Sequence, residues 1–238
     1  MENIKKLFTF NYYKEGLTGW SKSSYILLSV GIGIQLITGL LLPLLQGDGL
    51  TSVGITATIA GIIGFTCTLA ITNTKSINGL LGFVSALLLI GVATATGNYS
   101  DIIMQGAYIV LLDIPIIFSK RWNNGLKPRK MSDRHIFNTF IITMLFFTAL
   151  YFLDTIVLNS PQAFLDATSA TIGLVGAVLC VKGFKAQYFW WTAQGLLSVA
   201  LWIQTALNGH AVYVLMITYM LYLANDAIAF LDSKWFKK

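Results

Sequence analysis

The stretch SKRWNNGLKPRKMSDRH, residues 119–135, separates two long apolar runs and is the most basic connection in the chain. It holds 6 of the 16 Lys and Arg residues. The runs on either side, 99–118 and 136–158, can each cross about 30 Å of hydrocarbon at about 1.5 Å per residue. Connections rich in Lys and Arg stay in the cytoplasm when a membrane protein inserts. The stretch therefore predicts two transmembrane helices joined on the cytoplasmic side, near anionic lipid, and this interpretation is favoured over a nucleic-acid patch.

The composition of the whole chain agrees with an integral membrane protein. Of its 238 residues, 55% are hydrophobic and 11% are charged, and the mean hydropathy is +0.70. Soluble domains carry about 25% charged residues. The first 24 residues hold charges but no apolar core, so a secretory signal is not expected. Cys67 and Cys180 lie inside apolar runs, which favours buried small hydrophobes over a disulfide or a zinc site.

Six further apolar runs complete a regular alternation of apolar and polar segments. They cover residues 25–45, 53–72, 77–96, 163–181, 187–207 and 211–232. With the N-terminus in the cytoplasm, all 16 Lys and Arg residues fall in cytoplasmic segments, and the outer loops QGDGLTS, GNYS, NSPQ and NGH contain none. The chain is therefore predicted to be an all-α membrane protein of eight transmembrane helices with both termini inside. Residues 1–24 form a cytoplasmic N-terminal segment and residues 25–238 the transmembrane domain.

The chain also resembles itself at a shift of 113 residues. The paired residues are Thr58-Ile59 with Thr171-Ile172, Cys67 with Cys180, Gly82 with Gly195, Ser85 with Ser198, Asp113 with Asp226 and Trp122 with Trp235. This register superimposes three spans on three spans without a gap and leaves the run 136–158 as a linker. One linker helix makes the two triplets, 53–122 and 163–235, run parallel, which is an architecture of transporters. The prediction is one N-terminal helix followed by a 3+1+3 core.

Three short motifs accompany this arrangement: WW-x-x-Q at 190–194, T-Y-x-x-Y-x-x-N at 218–225 and SKW at 233–235. Together with the span count and the parallel triplets, they resemble the PnuC family of vitamin transporters over roughly residues 50–236. The resemblance implies a SWEET-like core, a homotrimer, and a place in the inner (plasma) membrane of a bacterium. It also implies import of nicotinamide riboside for NAD biosynthesis, by facilitated diffusion with cytoplasmic phosphorylation trapping the substrate. Relatives in the family carry thiamine or riboflavin.

Enzyme chemistry is not expected from this sequence. The two histidines, His135 and His210, are predicted at opposite membrane faces, and no nucleophile elbow, phosphate-binding loop or metal-ligand cluster is present. The sequence therefore predicts a carrier without cofactor or metal, whose partners are a small vitamin and membrane lipid rather than nucleic acid. A substrate-capturing subunit of an ATP-driven importer is the alternative from another class.

Polar and aromatic residues inside the last spans form the candidate substrate site. At helical rise, Gln194 and Asn225 each lie about 11 Å from the cytoplasmic face, in one layer. The predicted site residues are Trp190, Trp191, Gln194, Gln105, Tyr108, Thr218, Tyr219, Tyr222 and Asn225. A pyridinium ring can stack on Trp or Tyr, and ribose and amide groups need neutral donors and acceptors. With no cation in mid-span, this favours the riboside over the mononucleotide.

Some of these residues have alternative interpretations. Tyr188 and Phe189 are assigned to an interfacial aromatic belt, and both Trp190 and Trp191 remain candidates for the site, with Trp191 favoured because Gln194 continues its stripe. Polar residues such as Gln35, Asn138 and Ser198 can instead hydrogen-bond neighbouring helices. Asp113 and Asp226, costly groups inside a membrane, are interpreted as a gate or structural pair, with proton coupling as the alternative.

Overall fold

The computed structural model describes residues 6–47, 49–96, 99–159, 163–207 and 213–237, and within these ranges the chain is helical without a β-strand. The helices are α1 (Phe10–Leu17), α2 (Lys22–Gln46), α3 (Ser52–Thr72), α4 (Ile77–Thr96), α5 (99–118), α6 (Lys120–Asn123), α7 (Asp133–Val157), α8 (Ala163–Val181), α9 (Gln187–Leu207) and α10 (Tyr213–Asp232). Among the described residues, six helices are long and apolar enough to cross a membrane: α2, α3, α4, α5, α7 and α8. Helices α9 and α10 have 21 and 20 residues, which at helical rise covers about 30 Å.

Helices α2, α5 and α7 each contain one turn of π-helix. These turns cover Ile37–Leu41, Ile109–Asp113 and Leu153–Val157. Pro43 and Pro115 lie two residues after the last residues of the first two turns. Proline lacks a backbone N–H and its ring displaces the carbonyl four residues earlier, so the preceding backbone has to rearrange its hydrogen bonds. The two prolines therefore account for the π-turns in α2 and α5.

The basic connections lie together at one end of the helix bundle. This basic end consists of residues 73–76, 119–132, 182–186 and 233–237. There Arg121 donates to the carbonyl of Lys182 at 2.7 Å, and Trp235 Nε1 donates to the carbonyl of Ile71 at 2.9 Å. The rings of Trp122 and Trp235, which are repeat partners in the sequence, pack 6.2 Å apart. Half of the residues of the predicted outer loops, namely 48, 97–98, 160–162 and 208–210, lie outside the described residues.

Helix α1 was not predicted from the N-terminal segment. It packs on the start of α4, where a Cβ built on Gly16 would lie 2.7 Å from Ile77 Cβ. Tyr12 donates its hydroxyl to the carbonyl of Ser76 at 3.3 Å, and burial raises the pKa of Tyr12 to about 12. Trp20 closes the contact by donating Nε1–H to the Gly16 carbonyl at 2.8 Å. Helix α1 and Trp20 thus dock on the basic end.

Two helices form the centre of the bundle. Helix α3 packs against α2, α4 and α10, and α8 packs against α5, α7 and α9. The first helix of each predicted triplet thus contacts the last helix of the other triplet. Cys67 of α3 and Cys180 of α8 belong to one core cluster, and both are buried free thiols, which confirms their prediction as small hydrophobes.

Candidate functional site

Tyr108 of α5 and Gln194 of α9 form a polar pair inside the bundle, here called the central pair. Gln194 Nε2 donates to the Tyr108 hydroxyl at 3.1 Å, and Gln194 is buried. The pair meets over Gly173 of α8, where an added Cβ would lie 2.2 Å from the Tyr108 hydroxyl oxygen. Glycine at this position therefore leaves the space in which three helices bring these two neutral groups together.

The indole of Trp191 lies beside the central pair. Its Nε1 donates to the carbonyl of Gly173 at 3.2 Å, and a Cβ built on Gly176 would lie 2.4 Å from the same nitrogen. Trp190 packs instead against the cluster that contains Phe184. Of the two candidate tryptophans, the structure thus places Trp191 with the central pair.

Helix α10 makes a second polar contact, with α2, beside the glycines of α3. Thr218 donates to Gln35 Oε1 at 3.4 Å, and both side chains are buried. A Cβ on Gly61 would lie 2.6 Å from Gln35 Oε1, and one on Gly64 would lie 2.9 Å from the Tyr222 hydroxyl oxygen. As on α8, glycines on α3 make room for polar groups that neighbouring helices project into the interior.

Asn225 is held nearer the basic end. Thr72 Oγ1 donates to Asn225 Oδ1 at 2.9 Å. Because the Thr72 proton is used there, the Tyr188 hydroxyl is the donor in the 3.1 Å contact between Tyr188 and Thr72 Oγ1. Tyr188 is 1% exposed and packs edge-on against Trp191. Its assignment to the aromatic belt was wrong, because its ring and hydroxyl are both used inside the bundle. Phe189, at 63% exposed, does occupy a surface position.

Gln105 and Tyr219 make contacts of other kinds. Gln105 Nε2 donates to Asp101 Oδ1 on its own helix at 3.1 Å. The ring of Tyr219 lies 5.7 Å from that of Tyr222. Their membership of the substrate site stays a prediction.

The two intramembrane aspartates have different partners. Thr192 of α9 donates to Asp226 Oδ2 at 3.0 Å. Asp113 lies against α4, where a Cβ on Gly82 would come 2.1 Å from Asp113 Oδ1. Each aspartate thus contacts the second helix of its own predicted triplet. Their interpretation as a gate or structural pair stays a prediction.

Among the residues of these contacts that had no predicted role in the site are Gln35 and Thr72. Gln35 is a polar residue in an apolar run, and from the sequence it was interpreted only as a hydrogen-bonding partner of a neighbouring helix. Thr72 carries no signal in the sequence, because a threonine at the end of a span is common on any helix face. Both enter through contacts with α10.

The central pair and the Trp191 indole are surrounded by amide, hydroxyl and aromatic groups, without a basic side chain. None of the 16 Lys and Arg residues lies within α3, α4, α5, α8, α9 or α10. No group of three or more His, Cys, Asp or Glu among the described residues could hold a metal ion. Amide and hydroxyl groups both donate and accept hydrogen bonds, and aromatic faces accept flat rings and cations. Such an interior can bind a flat, polar, uncharged or cationic solute.

Membrane-spanning helices around a polar interior without basic residues are the arrangement of small-molecule membrane transporters. Residues 54–237 match the family model of the nicotinamide mononucleotide transporters, and the chain belongs to that family. The crystal structure of the vitamin B3 transporter PnuC is similar over 95% of this chain and 96% of that chain, with a TM-score of 0.76 and 18% sequence identity, and so shares the fold. The search of curated proteins found no match. The resemblance to the PnuC family is confirmed, and a transporter family implies a carrier rather than an enzyme.

Proposed function

We propose that this protein imports nicotinamide riboside by facilitated diffusion, and that phosphorylation in the cytoplasm traps the substrate. The observation that carries the proposal is the central pair of Tyr108 and Gln194 beside the Trp191 indole. The indole face can stack on the cationic pyridinium ring. The glutamine amide and tyrosine hydroxyl match the carboxamide and ribose groups, which need both donors and acceptors.

The riboside is favoured over the phosphorylated mononucleotide because the interior carries no fixed positive charge. A phosphate group is bound in proteins by Arg, Lys or helix N-termini, and a buried dianion without such partners is costly. The helices that line the site hold no Lys or Arg. A neutral site also releases its substrate readily, which suits passive transport.

The proposed mechanism is rocking of two parallel three-helix units around the site. These units are α3–α5 and α8–α10, with α7 as linker and α2 as the additional N-terminal helix, eight spans in all. The reciprocal packing of α3 on α10 and of α8 on α5 supports this arrangement. In this scheme each unit moves as a body and exposes the site alternately to the two sides.

The basic end is proposed to face the cytoplasm of a bacterium, with both termini on that side of the inner membrane. The clustering of the connections 119–132 and 182–186 supports this orientation through the positive-inside bias. A homotrimer is proposed from the family resemblance. Helix α7 offers a long apolar surface for lipid or a second protomer, with Phe137, Phe140 and Leu145 all at least 60% exposed.

Uptake by the purified protein in liposomes tests the proposal. Labelled nicotinamide riboside should equilibrate across the membrane without ATP or an added subunit, and the mononucleotide should not. Trp191→Ala should abolish most of this uptake, while Phe189→Ala, a change at the exposed neighbouring ring, should preserve it. Uptake that requires ATP and another protein would indicate a substrate-capturing subunit. Preferential uptake of thiamine or riboflavin would show that this vitamin, and not nicotinamide riboside, is the substrate.

A further inference from the structure

Gln187, the first residue of α9, is a buried amide that the contacts above do not use. Its side chain is 0% exposed, and neither amide atom has a hydrogen-bond partner among the described residues. Buried amides are almost always paired, because an unpaired one loses its hydrogen bonds to water without replacement. An amide kept in this position is explained if its partner arrives only during the working cycle.

The position of Gln187 on α9 connects it to the candidate site. Residues 187, 191, 194 and 198 occupy positions i, i+4, i+7 and i+11, so they form one stripe along the helix. Trp191 and Gln194 belong to the candidate site, and Gln187 continues their stripe to the basic end. A solute that leaves the central pair along this stripe would meet the Gln187 amide next.

A second buried donor without a partner lies at the same end. Trp122 is 1% exposed, and its Nε1–H has no acceptor among the described residues. Its repeat partner Trp235 donates the equivalent N–H to the Ile71 carbonyl at 2.9 Å. The indole of Trp122 packs in the same cluster as Tyr188, the residue next to Gln187. The basic end therefore offers a donor and an amide that the protein itself leaves unpaired.

We propose that Gln187 forms an exit subsite, at which its amide hydrogen-bonds the amide or hydroxyl groups of the substrate on the way from the central pair to the basic end. The inference rests on the proposed transport function. Glutamine suits the role because it donates and accepts through one neutral group. A single neutral hydrogen bond lowers the barrier to passage without holding the substrate.

Gln187→Met tests the subsite, because methionine removes both polar atoms and keeps the length and flexibility of the side chain. The initial rate of uptake into liposomes should fall about fivefold, the effect of one lost hydrogen bond of about 1 kcal/mol. The affinity of the central site, measured by calorimetry, should stay within about twofold of wild type. The Tm in detergent should stay equal or rise, since no hydrogen bond within the protein is lost. The control is Gln46→Met, at an exposed glutamine that is the last residue of α2. It should leave the uptake rate, the affinity and the Tm unchanged.

Three outcomes would overturn the subsite. An unchanged uptake rate would show that substrate does not use the amide, and a fall in affinity that matches the fall in rate would place Gln187 in the central site. A clearly lower Tm, repeated in Gln187→Leu, would show a structural role. Failure of the proposed function looks different: wild-type protein would take up neither nicotinamide riboside, thiamine nor riboflavin, and the subsite would fall with it.

Discussion

Replacing Gly173 by alanine would fill the space in which the central pair meets. The new Cβ would lie 2.2 Å from the Tyr108 hydroxyl oxygen and 2.4 Å from Gln194 Nε2, whereas a Cβ essentially never comes within 3.0 Å of a neighbour. Both side chains have to move, which strains the 3.1 Å hydrogen bond between them. That bond contributes about 1 kcal/mol, and overpacking costs about 1–3 kcal/mol. Since alanine regains about 1 kcal/mol of helix propensity, we expect a net loss of about 1–3 kcal/mol in stability.

The same substitution should weaken substrate binding more than it weakens the fold. If both displaced groups lose a hydrogen bond to nicotinamide riboside, at about 1 kcal/mol each, affinity falls about 30-fold. Calorimetry and thermal melting in detergent measure the two effects. Gly106→Ala is the matched control, because a Cβ on this helical glycine of α5 meets nothing within 4 Å. Gly173→Ala protein that binds and melts like the Gly106→Ala control would refute this account of the site.

Four further substitutions separate the roles of individual residues. Trp191→Phe should lower the affinity for the substrate about tenfold, because it removes the indole N–H bond and leaves a ring that attracts cations less strongly. Trp190→Phe should bind the substrate as wild type does. Equal effects of the two substitutions in calorimetry would contradict the placement of Trp191, rather than Trp190, beside the central pair. Asn225→Ala should lower Tm in detergent by removing the acceptor of Thr72, at a cost of about 1–3 kcal/mol, and an unchanged Tm would argue against that bond. Asp226→Asn should keep passive uptake, because the amide oxygen of asparagine can still accept the hydrogen bond from Thr192 of α9. Loss of uptake with intact substrate binding would indicate proton coupling instead.

The helices were predictable from the sequence because length and hydropathy define a span. The predicted run 77–96 coincides with α4, and the run 163–181 coincides with α8. The π-turn Ile109–Asp113 was not predicted, since a shift of backbone hydrogen bonds leaves no mark in hydropathy. Helix α1 was missed because it is short and partly polar and docks on one face only.

The helix rotations that bring the candidate-site residues to their partners could not be predicted from the sequence. Helical rise placed Gln194 and Asn225 in a common layer without identifying the partner of either. Which face of a helix meets its neighbour depends on packing with other elements, so the burial of Tyr188 and its contact with Thr72 could not be derived from spacing. The role of Gly173 was equally hidden, because glycines in spans more often serve close helix packing.

The position of Trp235 has a consequence for biogenesis. This residue follows the last helix, yet its ring is 0% exposed and its N–H bonds the carbonyl of Ile71 near the end of α3. A contact across 164 positions of sequence forms only after residue 235 has left the ribosome. Until then the Ile71 carbonyl lacks this donor, so the SKW segment at 233–235 completes the packing at this end of α3 only after the preceding helices have been made.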